Sequence, residues 1–305
     1  MTDRLHGFYR FVIGLSKKIL IADVIGFQVD KILGPSNYDV LTSAQLQDIA
    51  TKIANLDSTT AWVVILAFTF QIYFDFSGYS DMAIGLGRML GVRFPENFDN
   101  PYVSTSMSEF WRRWHQTFSV FIKNYLYFPL GGSRVKTEAR KYFNLWFCFL
   151  VSGLWHGAAW NFVIYGALQG IFICADKLFL VKWLNKLGRI PSVIITFAII
   201  VLTRCFFRIE RIDLSWLFIK RLFAFDFTPF HFSDNPHFYT TMIIAAFFSF
   251  ITLSKLGLRW QEKVYFTEYN TKQHIIAFVL SLFGFIFCLG ALNATGFSPF
   301  IYFRF

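Results

Sequence analysis

Charge is scarce in this chain. Only 16% of its 305 residues are Asp, Glu, Lys or Arg, and the 34 residues from Tyr142 to Ala175 carry none. Cysteine is scarce too: Cys148, Cys174, Cys205 and Cys288 all fall in apolar segments, and no CxxC pair exists. That spacing argues against a disulfide framework and against a zinc site. The other histidines, His6, His231, His237 and His274, make no pair at metal-ligand spacing, so no metal is expected. GLGRMLG, residues 85 to 91, lacks the spacing of a dinucleotide fingerprint and follows no Rossmann strand; Gly87 and Gly91 read instead as positions for close helix packing. The net charge of +10 comes without any solvated Lys/Arg block beyond pairs such as Lys17, Lys18 and Arg112, Arg113. Nucleic acid is therefore not the expected partner, and anionic lipid headgroups are. No internal repeat and no low-complexity tail are visible, and the short apolar run before Lys17 has no small-residue cleavage site, so no signal peptide is expected.

What the chain has in abundance is apolar side chains, 55% of the total, with 21% aromatic. Ser58 to Phe74, Phe238 to Ser254 and Ile275 to Phe303 are free of charge, and each is near or above the roughly 17 to 25 residues that a membrane-crossing helix needs. Pro191 to Phe207 is interrupted only by Arg204, placed near one end where a long side chain can snorkel to the interface. The composition and these runs point to an all-α, polytopic membrane protein. Its orientation stays open, because the stretches 176 to 190, 208 to 237 and 254 to 274 hold four Lys/Arg each.

Between the runs, residues 7 to 33 mix apolar and basic side chains at helical spacing, as in a helix lying at the interface or packed on others. Residues 34 to 57 are polar and turn-rich, with a short amphipathic helix that Ser43 can cap. The uncharged stretch from Tyr142 to Ala175 would be about 51 Å long as one straight helix, against a hydrocarbon core of roughly 30 Å. It must break or tilt. Gly153 and Gly157 flank His156, so a break at WHG would set that imidazole and loosened backbone at membrane depth, tolerated only against protein or a water-filled cavity.

His156 is thus the first candidate for chemistry, since a polar side chain in a membrane segment is costly and a neutral imidazole is suited to take a proton from an alcohol. The competing role is a hydrogen bond between helices. A helix over residues 108 to 119 would put His115 on the face of Trp111, Trp114 and Phe118, where a packed histidine and an active one fit equally. Arg112 and Arg113 can pair with Glu109, bind lipid phosphate or hold an anionic donor. In FDFSGYSDMAIGLGRMLG, Asp75 and Asp81 sit at the end of a span, where they can pair with Arg88 or orient a histidine.

FDFSGYSDMAIGLGRMLGVRFPENFDNPY, SEFWRRWHQTFSVFIKNYLYFPLGGSR and NLWFCFLVSGLWHGAAWNFVIYGALQG together closely resemble the membrane-bound O-acyltransferase (MBOAT) family, in its bacterial alginate O-acetyltransferase branch. The likeness runs from RLHGFYRFVIGLSKKILIAD, near residue 4, to the terminal FSPFIYFRF. It implies a helical bundle that encloses a tunnel through the membrane, with re-entrant or interfacial helices and His156 of the WHG motif as catalytic residue. His115 matches the family's second polar position. It also implies no bound cofactor, acetyl-CoA or another acyl-CoA as cosubstrate, an exported polysaccharide acceptor, and periplasmic O-acetylation proteins as partners at the bacterial inner membrane. Family members usually have further helices before the point where this sequence starts, so residues 1 to 305 are expected to be a single membrane domain corresponding to the C-terminal two-thirds of a full-length member. Two rival readings stay open: a transporter or channel subunit with His156 and His115 lining a path, and a non-catalytic scaffold.

Overall fold

The computed structural model describes residues 2–35, 37–38, 40–228, 235–296 and 298–300. His231 and the last residues of the FSPFIYFRF segment lie outside the described residues. Every regular element among the described residues is helical. In chain order they are α1 (Thr2–Ser16), a π-helical stretch Lys17–Ala22, α2 (Asp23–Leu33), α3 (Ser43–Ala54), α4 (Ser58–Met89), α5 (Met107–Arg113) and α6 (Gln116–Ile122). Then follow α7 (Glu138–His156), α8 (Trp160–Ala175), α9 (Val181–Leu187), α10 (Arg189–Arg208), α11 (Ile212–Leu222), α12 (Pro236–Phe250), α13 (Lys255–Tyr265) and α14 (Thr271–Thr295). Five helical segments are long and apolar enough to cross a membrane: Ser58–Met89, Trp160–Leu187, Arg189–Arg208, Pro236–Leu253 and Thr271–Ala294. The chain is an all-helical membrane protein, and the four apolar runs read from the sequence each supply one of these helices.

The chain divides into two compact units. The first takes residues from 1–28, 70–100 and 233–304. Within it α1 lies against the later part of α4 at very close range, because Gly7 faces Gly85 and Gly14 faces Gly78. A Cβ built on Gly85 would stand 2.5 Å from the Gly7 carbonyl oxygen, so only glycine lets the backbones meet this way. The expected packing glycines, Gly87 and Gly91, do something else. Gly91 takes φ +84 just past the end of α4, a conformation that terminates helices, and Gly87 accommodates the ring of Phe94.

Charge crosses the same α1–α4 seam. Asp81 bridges Arg10 at 2.7 Å and Lys17 at 2.6 Å, Arg10 also reaches Glu96, and Asp75 pairs with Lys18 at 2.7 Å. Asp75 and Asp81 are therefore held in ion pairs with Lys18, Arg10 and Lys17, while Arg88 pairs with Asp3. The partners lie far away in sequence, and no local spacing could have named them. Lys17 and Lys18 sit in the π-helical stretch, whose wider turn changes the register of the residues that follow it.

The second unit takes residues from 29–69 and 101–232. α3 begins with a capping box in which Thr42, rather than the expected Ser43, accepts from Gln45 N while Gln45 reaches back to Thr42 N. The uncharged stretch breaks where its length demanded: α7 ends at His156 and α8 starts at Trp160. The two helices fold back on each other through Gly153 and Gly166, whose Cα atoms leave no room for a Cβ on either side. Gly170 likewise admits Trp146 of α7. Short loops between antiparallel apolar helices of this kind are stabilised by contact area that larger residues at the crossing would remove.

Candidate functional site

Both candidate histidines belong to the second unit, and each stands at a break between helices. α5 is capped by Ser106, whose Oγ accepts from Glu109 N, and the Glu109 carboxylate accepts from Thr105 N and Oγ1 and pairs with Arg113 at 2.9 Å. The expected single helix over residues 108 to 119 does not form. Trp114 is extended and His115 is left-handed, with φ 48 and ψ 53, before α6 resumes at Gln116. For a residue with a Cβ this conformation costs about 1 to 2 kcal/mol, and such strain persists only where surrounding structure imposes it. Here that structure is aromatic: Trp114 stacks on Phe110, 5.5 Å between centres, and on Tyr102 at 6.2 Å. Trp111 adds a fixed anchor, donating from Nε1 to Gln169 Oε1 of α8 at 3.1 Å, while Gln169 Nε2 donates to Thr203 Oγ1 of α10 at 2.9 Å.

The turn at residue 115 brings its ring face to face with Phe118, 5.0 Å between centres and 22° between planes. Phe118 in turn lies 6.1 Å from His156 and 4.5 Å from Trp155. His156 meets Phe207, on the last turn of α10, edge to face at 5.1 Å. The two candidate histidines, far apart in sequence, thus share the same aromatic cluster. Burial pushes the His115 imidazole down to about 4, so it is neutral at pH 7 and can both donate and accept a hydrogen bond. Both histidine side chains are half-buried, partly enclosed by rings and partly open.

A third polar group borders this cluster. Arg204 was expected to snorkel to the interface; it is instead 1% exposed, its guanidinium 4.5 Å from the centre of Trp114 and 5.4 Å from that of Phe207. Nη1 donates to the Tyr165 hydroxyl at 3.2 Å. Arg204 lies close enough for its charge to act on the His156 ring. Sequence spacing groups Phe118 with His115, whereas it does not show Phe207 and Tyr165 as parts of this cluster. The available signal was the i, i+3 spacing of Arg204 and Phe207, which puts both on one helix face. Chemically, the arrangement offers two neutral imidazoles and one fixed positive charge among aromatic walls, the components of a proton-transfer site with an anion nearby.

Residues 51–187, which include both histidines, match the model of the membrane-bound O-acyltransferase family. The chain is 40% identical over 220 residues to a probable alginate O-acetylase AlgI of Pseudomonas aeruginosa, a match covering 72% of this chain and 39% of that protein. It is 32% identical over 314 residues to a probable alginate O-acetylase AlgI of Pseudomonas putida, covering 98% of this chain and 61% of that one. A peptidoglycan O-acetyltransferase of Helicobacter pylori is 39% identical over 218 residues, 70% of this chain and 38% of its own length. The chain therefore spans less than two-thirds of the length of these relatives. On these matches and its apolar helices, the chain belongs to the membrane-bound O-acyltransferase family.

Proposed function

We propose that this chain is an O-acyltransferase of the bacterial inner membrane, moving an acetyl or other acyl group from a cytosolic thioester donor, acetyl-CoA in the simplest case, towards hydroxyls of an exported polysaccharide such as alginate. In this reading His156 is the general base. It takes the proton of the acceptor hydroxyl as that oxygen attacks the thioester carbonyl carbon. The new C–O bond forms, the C–S bond breaks, and the departing thiolate takes the proton back from the imidazole. His115 positions donor or acceptor within the same aromatic cluster, and periplasmic O-acetylation proteins pass the group onward.

The observation that carries this reading is the convergence of His115 and His156 on Phe118, with both rings half-buried at helix breaks. A base held against low-dielectric walls stays unprotonated, and a second imidazole fixed beside it limits how a substrate can lie. The relatives named as acetylases of alginate and of peptidoglycan support acyl transfer to a glycan hydroxyl as the reaction class. The test is ester-linked acetate on exported polysaccharide, in cells without their own enzyme given either this chain or His156→Ala at equal membrane levels. Acetate from the unmutated chain alone is expected; equal acetate from both contradicts the role of His156.

A further inference from the structure

Two arginines stand one turn apart on α10, both buried and in opposite circumstances. Arg208 uses its terminal nitrogens on the second unit's own chain: Nη2 bonds Asp30 at 3.0 Å and the Gly34 carbonyl, and Nη1 the Pro35 carbonyl at 3.4 Å. Its charge is structurally committed. Arg204 has a single hydrogen bond, from Nη1 to Tyr165, while Nε and Nη2 have no hydrogen-bond partner among the described residues. Desolvating a charge is costly, and a single aromatic face returns only part of that cost. The Trp114 face alone does not account for keeping the guanidinium there.

The two unpartnered donors are not scattered. Nε and Nη2 lie on one edge of the planar guanidinium and point the same way, so together they make a fork for an anionic oxygen. The edge belongs to a group 5.4 Å from the Phe207 ring, and His156 stands 5.1 Å from that same ring. The anion that acyl transfer creates beside a general base is the former carbonyl oxygen of the thioester.

We propose that Arg204 holds this oxyanion, donating from Nε and Nη2 to the thioester carbonyl oxygen as the acceptor hydroxyl attacks. The inference rests on the reading of the site as an acyltransferase with His156 as base. As the C–O bond forms, the hydroxyl proton passes to His156 and the carbonyl π pair moves onto the oxygen facing Arg204. Collapse returns that pair, expels the thiolate, and the thiolate takes the proton from His156. Both donors are enclosed by the apolar cluster, so the thioester must part the surrounding rings to reach them, and once reached they act in a low-dielectric setting where a donor to an oxyanion is most effective.

The test compares two probes bound to membranes that hold the complete chain. One is a trifluoromethyl ketone analogue of acetyl-CoA, whose carbonyl adds water or the acceptor hydroxyl and becomes an oxyanion as the proton passes to His156. The other is S-ethyl-CoA, which has no carbonyl. The unmutated chain is expected to prefer the ketone, Arg204→Met to lose about 100-fold in ketone affinity with S-ethyl-CoA held within about twofold, and Arg204→Lys to lose less than Arg204→Met. Absence of a ketone preference in the unmutated chain, unchanged ketone binding by Arg204→Met, or parallel loss of both probes overturns the proposal. Thioester consumption by His156→Ala is measured alongside. If it persists, the base assignment fails, while if it vanishes and the ketone preference survives Arg204→Met, the oxyanion role alone fails.

Discussion

The ring of His115 stacks on that of Phe118 with 5.0 Å between centres, and the same phenylalanine stands 6.1 Å from His156. One side chain therefore sets the spacing of both imidazoles. Replacing Phe118 by leucine keeps an apolar filler but removes the flat face. Thioester turnover per molecule is expected to fall by about 10 to 100-fold, the scale on which small misplacements act in a site that works by positioning. Turnover measured at matched protein levels decides the point, and an unchanged rate shows that the ring only fills space.

The left-handed backbone at His115 makes a second expectation, separate from chemistry. Glycine and asparagine tolerate φ 48, whereas a β-branched residue does not. His115→Gly is expected to be more stable than His115→Val by about 1 to 2 kcal/mol, read from thermal unfolding in detergent. Equal stability of the two variants would mean that the helix does not break there in the folded protein.

The break between α7 and α8 was legible and the break between α5 and α6 was not, and the reason is physical. Tyr142 to Ala175 is too long for the hydrocarbon core and carries glycines beside its histidine, so length and composition both pointed to WHG. Residues 108 to 119 show an unbroken helical period in Trp111, Trp114 and Phe118, and the kink comes from stacking of Trp114 on Phe110 and Tyr102, a tertiary effect with no local signature. Arg204 misled for a similar cause. Its place near the end of an apolar run fits snorkelling, and only the packing of α10 against Trp114 and Tyr165 shows it buried. His156 and His115 were both visible as candidates from residue type and apolar context; their meeting was not.

Gly153 carries the α7–α8 crossing. A leucine there would drive its Cβ into the Phe162 carbonyl and Gly166, backbone atoms that cannot move aside. Overpacking of this kind costs about 1 to 3 kcal/mol in well-packed cores. Gly290, on α14, meets nothing within 4 Å. Gly290→Ala is expected to leave stability unchanged or raise it by up to about 1 kcal/mol, since alanine favours the helix. Membrane abundance and unfolding temperature of Gly153→Leu and Gly290→Ala should therefore move in opposite directions or differ sharply, and equal behaviour contradicts the crossing.

In the first unit, Asp81 is the acidic centre between Arg10 and Lys17. Asp81→Ala takes from the largely buried Lys17 its carboxylate partner, while Arg10 keeps Glu96. Removing one partner of a buried ion network costs about 3 to 5 kcal/mol, far more than the loss of an exposed pair such as Arg211–Asp213. Comparing the unfolding of Asp81→Ala with that of Asp213→Ala checks this. A similar small loss in both would show that the α1–α4 seam is held by its glycine contacts and not by its charges.

The function of the site turns on His156. Release of free thiol from an acetyl thioester, followed in membranes with the unmutated chain, His156→Ala and Phe118→Leu at equal levels, puts that residue to the test. The account expects His156→Ala to lose about 10² to 10⁴-fold in rate, the contribution of a positioned general base, while Phe118→Leu loses less. A rate for His156→Ala equal to that of the unmutated chain would contradict it and remove the imidazole from the chemistry.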